Sequence, residues 1–183
     1  MNKLVYMDNA ATTRVAAPVK EEMSEYFRDK YGNPSSLYSS ANVARTEGLD
    51  RSRKRVADYL GVNPEEIIFV SGATESDNLA IKGVALTLDE SAHFITSKIE
   101  HHAVLHTFEW LEERGHEVTY LDVDEDGLVN PEDLKESLRD DTALVSIMYA
   151  NNEIGTIEPI EELAKISREN GTLFHTDAVQ AYG

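Results

Sequence analysis

Cysteine is absent from all 183 residues. That excludes a disulfide framework, a thiolate metal site and a thiol nucleophile on this chain, and no metal site of another kind is expected. Positive charge is scarce: 17 Lys and Arg stand against 34 Asp and Glu, for a formal net charge of −17. With no basic surface to neutralise phosphates, nucleic acid is argued against as a partner. An anionic membrane surface is disfavoured on the same ground. No apolar run approaches the length of a membrane span, and the first residues lack the apolar stretch of a signal peptide. The expectation is a cytoplasmic protein. Internal repeats, low-complexity tracts and long linkers are absent too.

What is present suffices for one domain with a real core. Hydrophobic residues make up 41 % and charged residues 28 %, the balance of a soluble globular chain. The stretch Leu4-Val5-Tyr6-Met7 reads as a short strand, and the small polar residues after it read as a loop. Pro18 opens a helix that runs to about Phe27, with Val19, Met23, Tyr26 and Phe27 on one side. Gly32-Asn33-Pro34-Ser35-Ser36 is a turn-rich loop. A longer helix follows from Ala41 to Leu60 and stops at Gly61. Its basic cluster, Arg51, Arg53, Lys54 and Arg55, reads as a solvated face.

From residue 67 the pattern alternates. Strands are expected at 67–70, 92–96, 117–121, 143–149 and 172–176. Helices are expected at 75–88, 101–114, 131–138 and 160–169. The strand at 143–149 is nearly all apolar and so buried on both faces. Strand–helix alternation implies an α/β fold: a mostly parallel sheet with helices on both faces. Ligands of such sheets bind at the carboxyl ends of the strands, which makes the residues just after each strand the candidates. After 67–70 comes Ser71-Gly72-Ala73-Thr74, a small-residue turn entering a helix. The unpaired N–H groups and partial positive charge there stabilise an anion. It is neither a Walker loop nor a GxGxxG, and an ordinary capping box explains it equally well. After 92–96 come Glu100, His101 and His102; after 143–149, Asn151, Asn152 and Glu153; after 172–176, Asp177 with Gln180 one turn on. Each set alone has a structural explanation. Together they supply a phosphate seat, a flat ring, an amide and a carboxylate, which suits a planar phosphorylated nitrogen ring such as pyridoxal phosphate. A carboxylate beside a pyridine nitrogen keeps that nitrogen protonated.

Several stretches then point to one family. They are Tyr6-Met7-Asp8-Asn9-Ala10-Ala11-Thr12-Thr13, Gly32-Asn33-Pro34-Ser35-Ser36, Val70 to Ala80, Glu100-His101, Val145 to Gly155, and His175-Thr176-Asp177-Ala178-Val179-Gln180. In order and spacing the chain resembles the cysteine desulfurases of the NifS/IscS type, class-V aminotransferases of fold-type I. The resemblance implies the N-terminal portion of that fold's large pyridoxal-phosphate domain over 15–183, with 1–14 as an arm belonging to the smaller domain. It implies that Ala73 and Thr74 hold the pyridoxal 5'-phosphate phosphate group. His101 would stack on the ring and move protons, and Asp177 would pair with the ring nitrogen. Asn152 and Gln180 would contact ring substituents, Asn152 also lying near substrate. Ile99 stands where Thr is common in the family, and Tyr38 where His is common; neither touches these roles.

The implied reaction converts L-cysteine to L-alanine and leaves a persulfide on an enzyme cysteine for iron–sulfur cluster assembly. In the family the cofactor lysine lies in a Ser-x-His-Lys segment beyond the point matching Gly183. The persulfide cysteine and the substrate-carboxylate arginine lie further on as well. The expected partners are therefore L-cysteine, a C-terminal polypeptide or continuation supplying lysine and cysteine, a second copy in a homodimer, and an iron–sulfur scaffold or other sulfur acceptor. The chain alone is expected to be inactive. The alternatives are a non-catalytic binding or partner protein on the same fold, or another class-V lyase. A sheet stopped after 172–176 would leave apolar faces and an edge uncovered, which disfavours a free-standing binding module.

Overall fold

The computed structural model describes residues 5–182. The chain divides after Phe69 into two compact units. The first is helical. Helix α1 (Ala17–Arg28) begins with Pro18 in its first turn, where a missing N–H costs nothing. Its expected apolar side is open: Val19, Met23 and Phe27 are all exposed. Helix α2 (Ser39–Val43) passes through a π-helical stretch (Ala44–Asp50) into α3 (Arg51–Leu60). The wide stretch contains Gly48, and Tyr26 explains the glycine. A Cβ there would come 2.9 Å from the tyrosine ring, whose hydroxyl donates to the Glu47 carbonyl at 3.1 Å. Gly61 ends α3 in the left-handed region at φ 70°, as the sequence predicts. The basic cluster is exposed apart from half-buried Arg53 and is paired, Arg51 with Glu22 and Lys54 with Asp58; such pairs contribute little.

The second unit is a four-stranded, wholly parallel sheet: β1 (His93–Ser97), β2 (Glu117–Leu121), β3 (Thr142–Ser146) and β4 (Leu173–His175), in the order β2-β1-β3-β4. Helix α4 (Ala73–Ala85) precedes β1, and α5 (His102–Glu112), α6 (Pro131–Ser137) and α7 (Ile160–Glu169) run between successive strands. Side chains of a strand alternate between faces, and each face here has its own core. Phe94 and Leu144, paired across β1 and β3, meet Ile81 of α4 with Val104, Phe108 and Leu111 of α5. Their neighbours Ile95 and Val145 meet Leu134 of α6 and Leu163 of α7 on the other side. The sheet is thus sandwiched between helix layers, which is the architecture the alternation predicts.

Two expected strands are corrected. Residues 67–70 join no ladder: Ile67 is extended, but Ile68 and Phe69 are 69 % and 48 % exposed. An apolar run becomes a strand only when a neighbouring strand takes its backbone groups; here the Ile67 N–H goes to the Pro64 carbonyl, and the Ile67 carbonyl accepts from Arg53 Nε at 3.2 Å. In the expected strand at Leu4–Met7, Leu4 lies outside the described residues and 5–7 form no strand. Strand β3 ends at Ser146, earlier than expected, although Ile147 and Tyr149 still donate to His175 and Asp177. Among the described residues no helix is long and apolar enough to cross a membrane.

Asn130 caps α6 by accepting the Glu132 N–H at 3.1 Å, ahead of Pro131. Asn130→Ala removes that acceptor, and denaturant unfolding is expected to show a loss of about 1 kcal/mol.

Candidate functional site

Because all four strands are parallel, their carboxyl ends share one edge. The chain runs outward from β1 to β2 and then returns past β1 to β3 and β4, so the direction reverses between β1 and β3. Crevices of doubly wound sheets open at such a reversal. His101 follows β1 and Asn152 follows β3, one on each side of it.

His101 is the N-cap of α5, and its Nδ1 accepts the Ala103 N–H at 3.1 Å. An accepting Nδ1 places the proton of the neutral ring on Nε2. The ring can therefore donate from Nε2, and it can take a further proton on Nδ1 only by giving up the cap. His101 lines a cleft of about 330 Å³ with Thr74, Asn78, Lys82, His106 and Trp110. The N-terminus of α4 opens there. Gly72 is its N-cap, and a Cβ at that position would meet nothing within 4 Å. Ala73 and Thr74 occupy the first turn, whose N–H groups have no intrahelical acceptor. Lys82 lies over the Trp110 ring at 4.7 Å and brings a cation to the cleft. The cleft joins Thr74 and His101 but does not include Asn152, Asp177 or Gln180. A larger cavity, about 840 Å³, lies in the helical unit beside Met23 and Tyr26 and carries none of the predicted site residues.

Asn152 sits half-buried in a turn that Asn151 builds. The Asn151 Oδ1 accepts the N–H groups of Glu153 at 2.8 Å and Ile154 at 3.0 Å, and its Nδ2 donates to the Ile99 carbonyl at 2.9 Å. Of the asparagine pair, Asn151 is the structural member. Asp177 follows β4 and is 8 % exposed. Its Oδ1 accepts the Val179 N–H at 2.9 Å, and its carbonyl accepts the Tyr149 N–H at 2.8 Å. Gln180 lies in the next turn and is exposed.

Behind Asp177 is a buried polar group that the strand-end reading did not pick out. Ser146 Oγ and His175 Nδ1 are 2.8 Å apart, and His175 Nε2 lies 3.7 Å from Asp77 Oδ1, too long for a hydrogen bond. Burial lowers the affinity of His175 for a proton, against the pull of Asp177. Burial and the like charge of Asp177 push the Asp77 carboxyl up to about 6. The signal was in the sequence. Asp77 lies on the same stripe of α4 as Ile81 and Ala85, where an apolar residue belongs.

A helix N-terminus with free donors, a histidine, an amide and a buried carboxylate on one edge suit an anionic, nitrogen-containing ring. The chain belongs to the class-V aminotransferase family, which it matches over residues 5–183; these are pyridoxal-phosphate enzymes. Among curated relatives, it is 56 % identical to the cysteine desulfurase IscS of Methanosarcina thermophila, over 100 % of this chain and 45 % of that protein. Among solved structures, it is similar to a NifS-like protein at TM-score 0.94 and 47 % identity, over 97 % of this chain and 49 % of that one. It is also similar to SspA in complex with cysteine, at TM-score 0.94 and 43 % identity, over 97 % of this chain and 51 % of that one. The chain thus spans about half the length of the relatives it matches. The donor set fits the cofactor: backbone N–H groups and the Thr74 hydroxyl for a phosphate, and the Asp177 carboxylate for a ring nitrogen.

Proposed function

We propose that this chain is the cofactor-cradling N-terminal part of a cytoplasmic cysteine desulfurase. L-cysteine and an enzyme thiol would become L-alanine and an enzyme persulfide, with the sulfur passed on for iron–sulfur cluster assembly. The observation that carries this reading is the gathering of His101, Asn152 and Asp177 on the carboxyl edge beside the open first turn of α4. When bound, pyridoxal phosphate supplies an electron sink for charge developing on the amino acid. The remaining roles belong to this chain. The N–H groups of Ala73 and Thr74 and the Thr74 hydroxyl hold the phosphate, with the helix dipole in support. His101 covers the ring, donating from Nε2 while its cap is made, and transfers a proton at Nε2 once the bond from Ala103 is released and Nδ1 carries a proton. The Asp177 carboxylate holds a proton on the ring nitrogen. Asn152 and Gln180 contact the ring substituents, and Asn152 also faces substrate. The lysine and cysteine of the reaction come from a C-terminal part, in a homodimer, and residues 1–14 pack with the smaller domain that part builds.

The test is alanine release from cysteine by the chain together with its C-terminal part. His101→Ala is expected to slow turnover about 10²- to 10⁴-fold, the usual contribution of a positioned proton-transfer group, while the visible absorption of bound pyridoxal phosphate persists. Unchanged turnover would remove His101 from the reaction.

A further inference from the structure

One buried acid holds the carboxyl edge together without any role assigned to it above. Glu100 is 5 % exposed. Its Oε1 accepts from Ser97 Oγ at 2.6 Å, inside the turn after β1. The same oxygen accepts the Met148 N–H at 2.9 Å, across the sheet in the segment after β3. The Asn151–Ile99 bond joins the same two segments. His101 and Asn152 are carried on the segments these bonds connect. The Glu100 Oε2 has no hydrogen-bond partner, and the charged groups that act on Glu100 are Asp177 and Glu158, both acidic. Asp77 and His175 lie beyond Asp177, and His101 is the next residue along the chain. An ionised Glu100 would be a second negative charge beside Asp177, and no cation among the described residues acts on it.

We propose that Glu100 is a positioning residue acting as a neutral carboxylic acid, which holds the turn carrying His101 in register with the turn carrying Asn152. Since Oε1 already takes two donors, the proton resides on Oε2. Burial pushes this carboxyl up to about 8, even though the bonds from Ser97 and Met148 pull it down; Asp177 and Glu158 add to the rise. What the two turns face rests on the function proposed above, but the tie between them does not.

The experiment compares Glu100→Gln and Glu100→Ala with the parent in the full chain. One readout is the unfolding midpoint across pH without cofactor; the other is pyridoxal phosphate affinity by absorbance titration. In the parent, the folded form keeps a proton that the unfolded form releases above the ordinary value of 4.5. The stabilisation is complete below 4.5 and is lost as pH rises to about 8. Glu100→Gln keeps an oxygen that accepts both bonds, so it is expected to fold and to lose the Glu100 share of this decline while keeping that of Asp77 and Glu158, whose carboxyls burial also raises. Glu100→Ala is expected to lower the midpoint at every pH and to weaken cofactor binding about tenfold. Glu100→Gln should restore most of that affinity. If Glu100→Gln shows the parent's decline in full, or binds cofactor as poorly as Glu100→Ala, the group acts as an anion and the proposal is overturned. A parent chain that takes up no pyridoxal phosphate would count against the proposed function, while the pH comparison would still decide the state of Glu100.

Discussion

Asp177→Asn is expected to reduce turnover of the completed enzyme by about 10²- to 10³-fold or more, the usual effect of removing one preorganised electrostatic partner from a reacting centre. The asparagine keeps the shape and can still accept the Val179 N–H that now goes to Asp177 Oδ1. The main-chain bond from Tyr149 is untouched. The variant therefore removes the charge and leaves the scaffold. Without that charge a ring nitrogen nearby no longer gains by holding a proton, and the ring withdraws electrons less well. The substitution has a second, independent signature. Asp177 is one cause of the raised Asp77 carboxyl, now at about 6, and it also acts on Glu100. Asp77 should then titrate below 6 in the variant, readable by carbon NMR of labelled aspartate. Full turnover with a shifted Asp77 would mean that Asp177 tunes its neighbours but not the cofactor.

Much of this fold was legible because it is encoded locally. The helix Ile160–Glu169 and the strand Glu117–Leu121 coincide with their predicted spans, since each has its own periodicity and its own stop. His101 and Asp177 could be found because they directly follow strands, and topology alone sends strand ends to one edge. What could not be read depends on partners far away in sequence. The bond from Met148 to Glu100 spans 48 positions, and no local pattern announces it. Glu100 is invisible as a tie until β1 and β3 are known to be neighbours. The run 67–70 failed for the same reason in reverse: β-branched and aromatic composition says that a segment fits a sheet, not that a sheet is there to receive it. Its Ile68 is exposed, and Phe69, half exposed, lies under the Arg53 guanidinium at 5.3 Å.

The largest stability effect is expected at Phe108. Phe108→Ala should cost about 3–5 kcal/mol by denaturant unfolding, the range for truncating a buried aromatic side chain. Phe108 has no exposed surface and sets its ring edge-on to Phe94 at 6.4 Å between centroids. It lies between Val104 and Leu111 on the stripe that fixes α5 to the sheet. The consequence reaches the site because His101 caps that helix, and its ring is held by a bond to the Ala103 N–H in the first turn. A cavity under the middle of α5 is filled only in part, by neighbouring side chains and by movement of the helix. Movement would carry His101 away from Thr74 across the cleft they share. Cofactor affinity should then fall along with stability, although Phe108 does not line that cleft. Lost stability with unchanged affinity would show that the first turn of α5 is held from its cap, through His101 and the Glu100 tie, and not from its buried face.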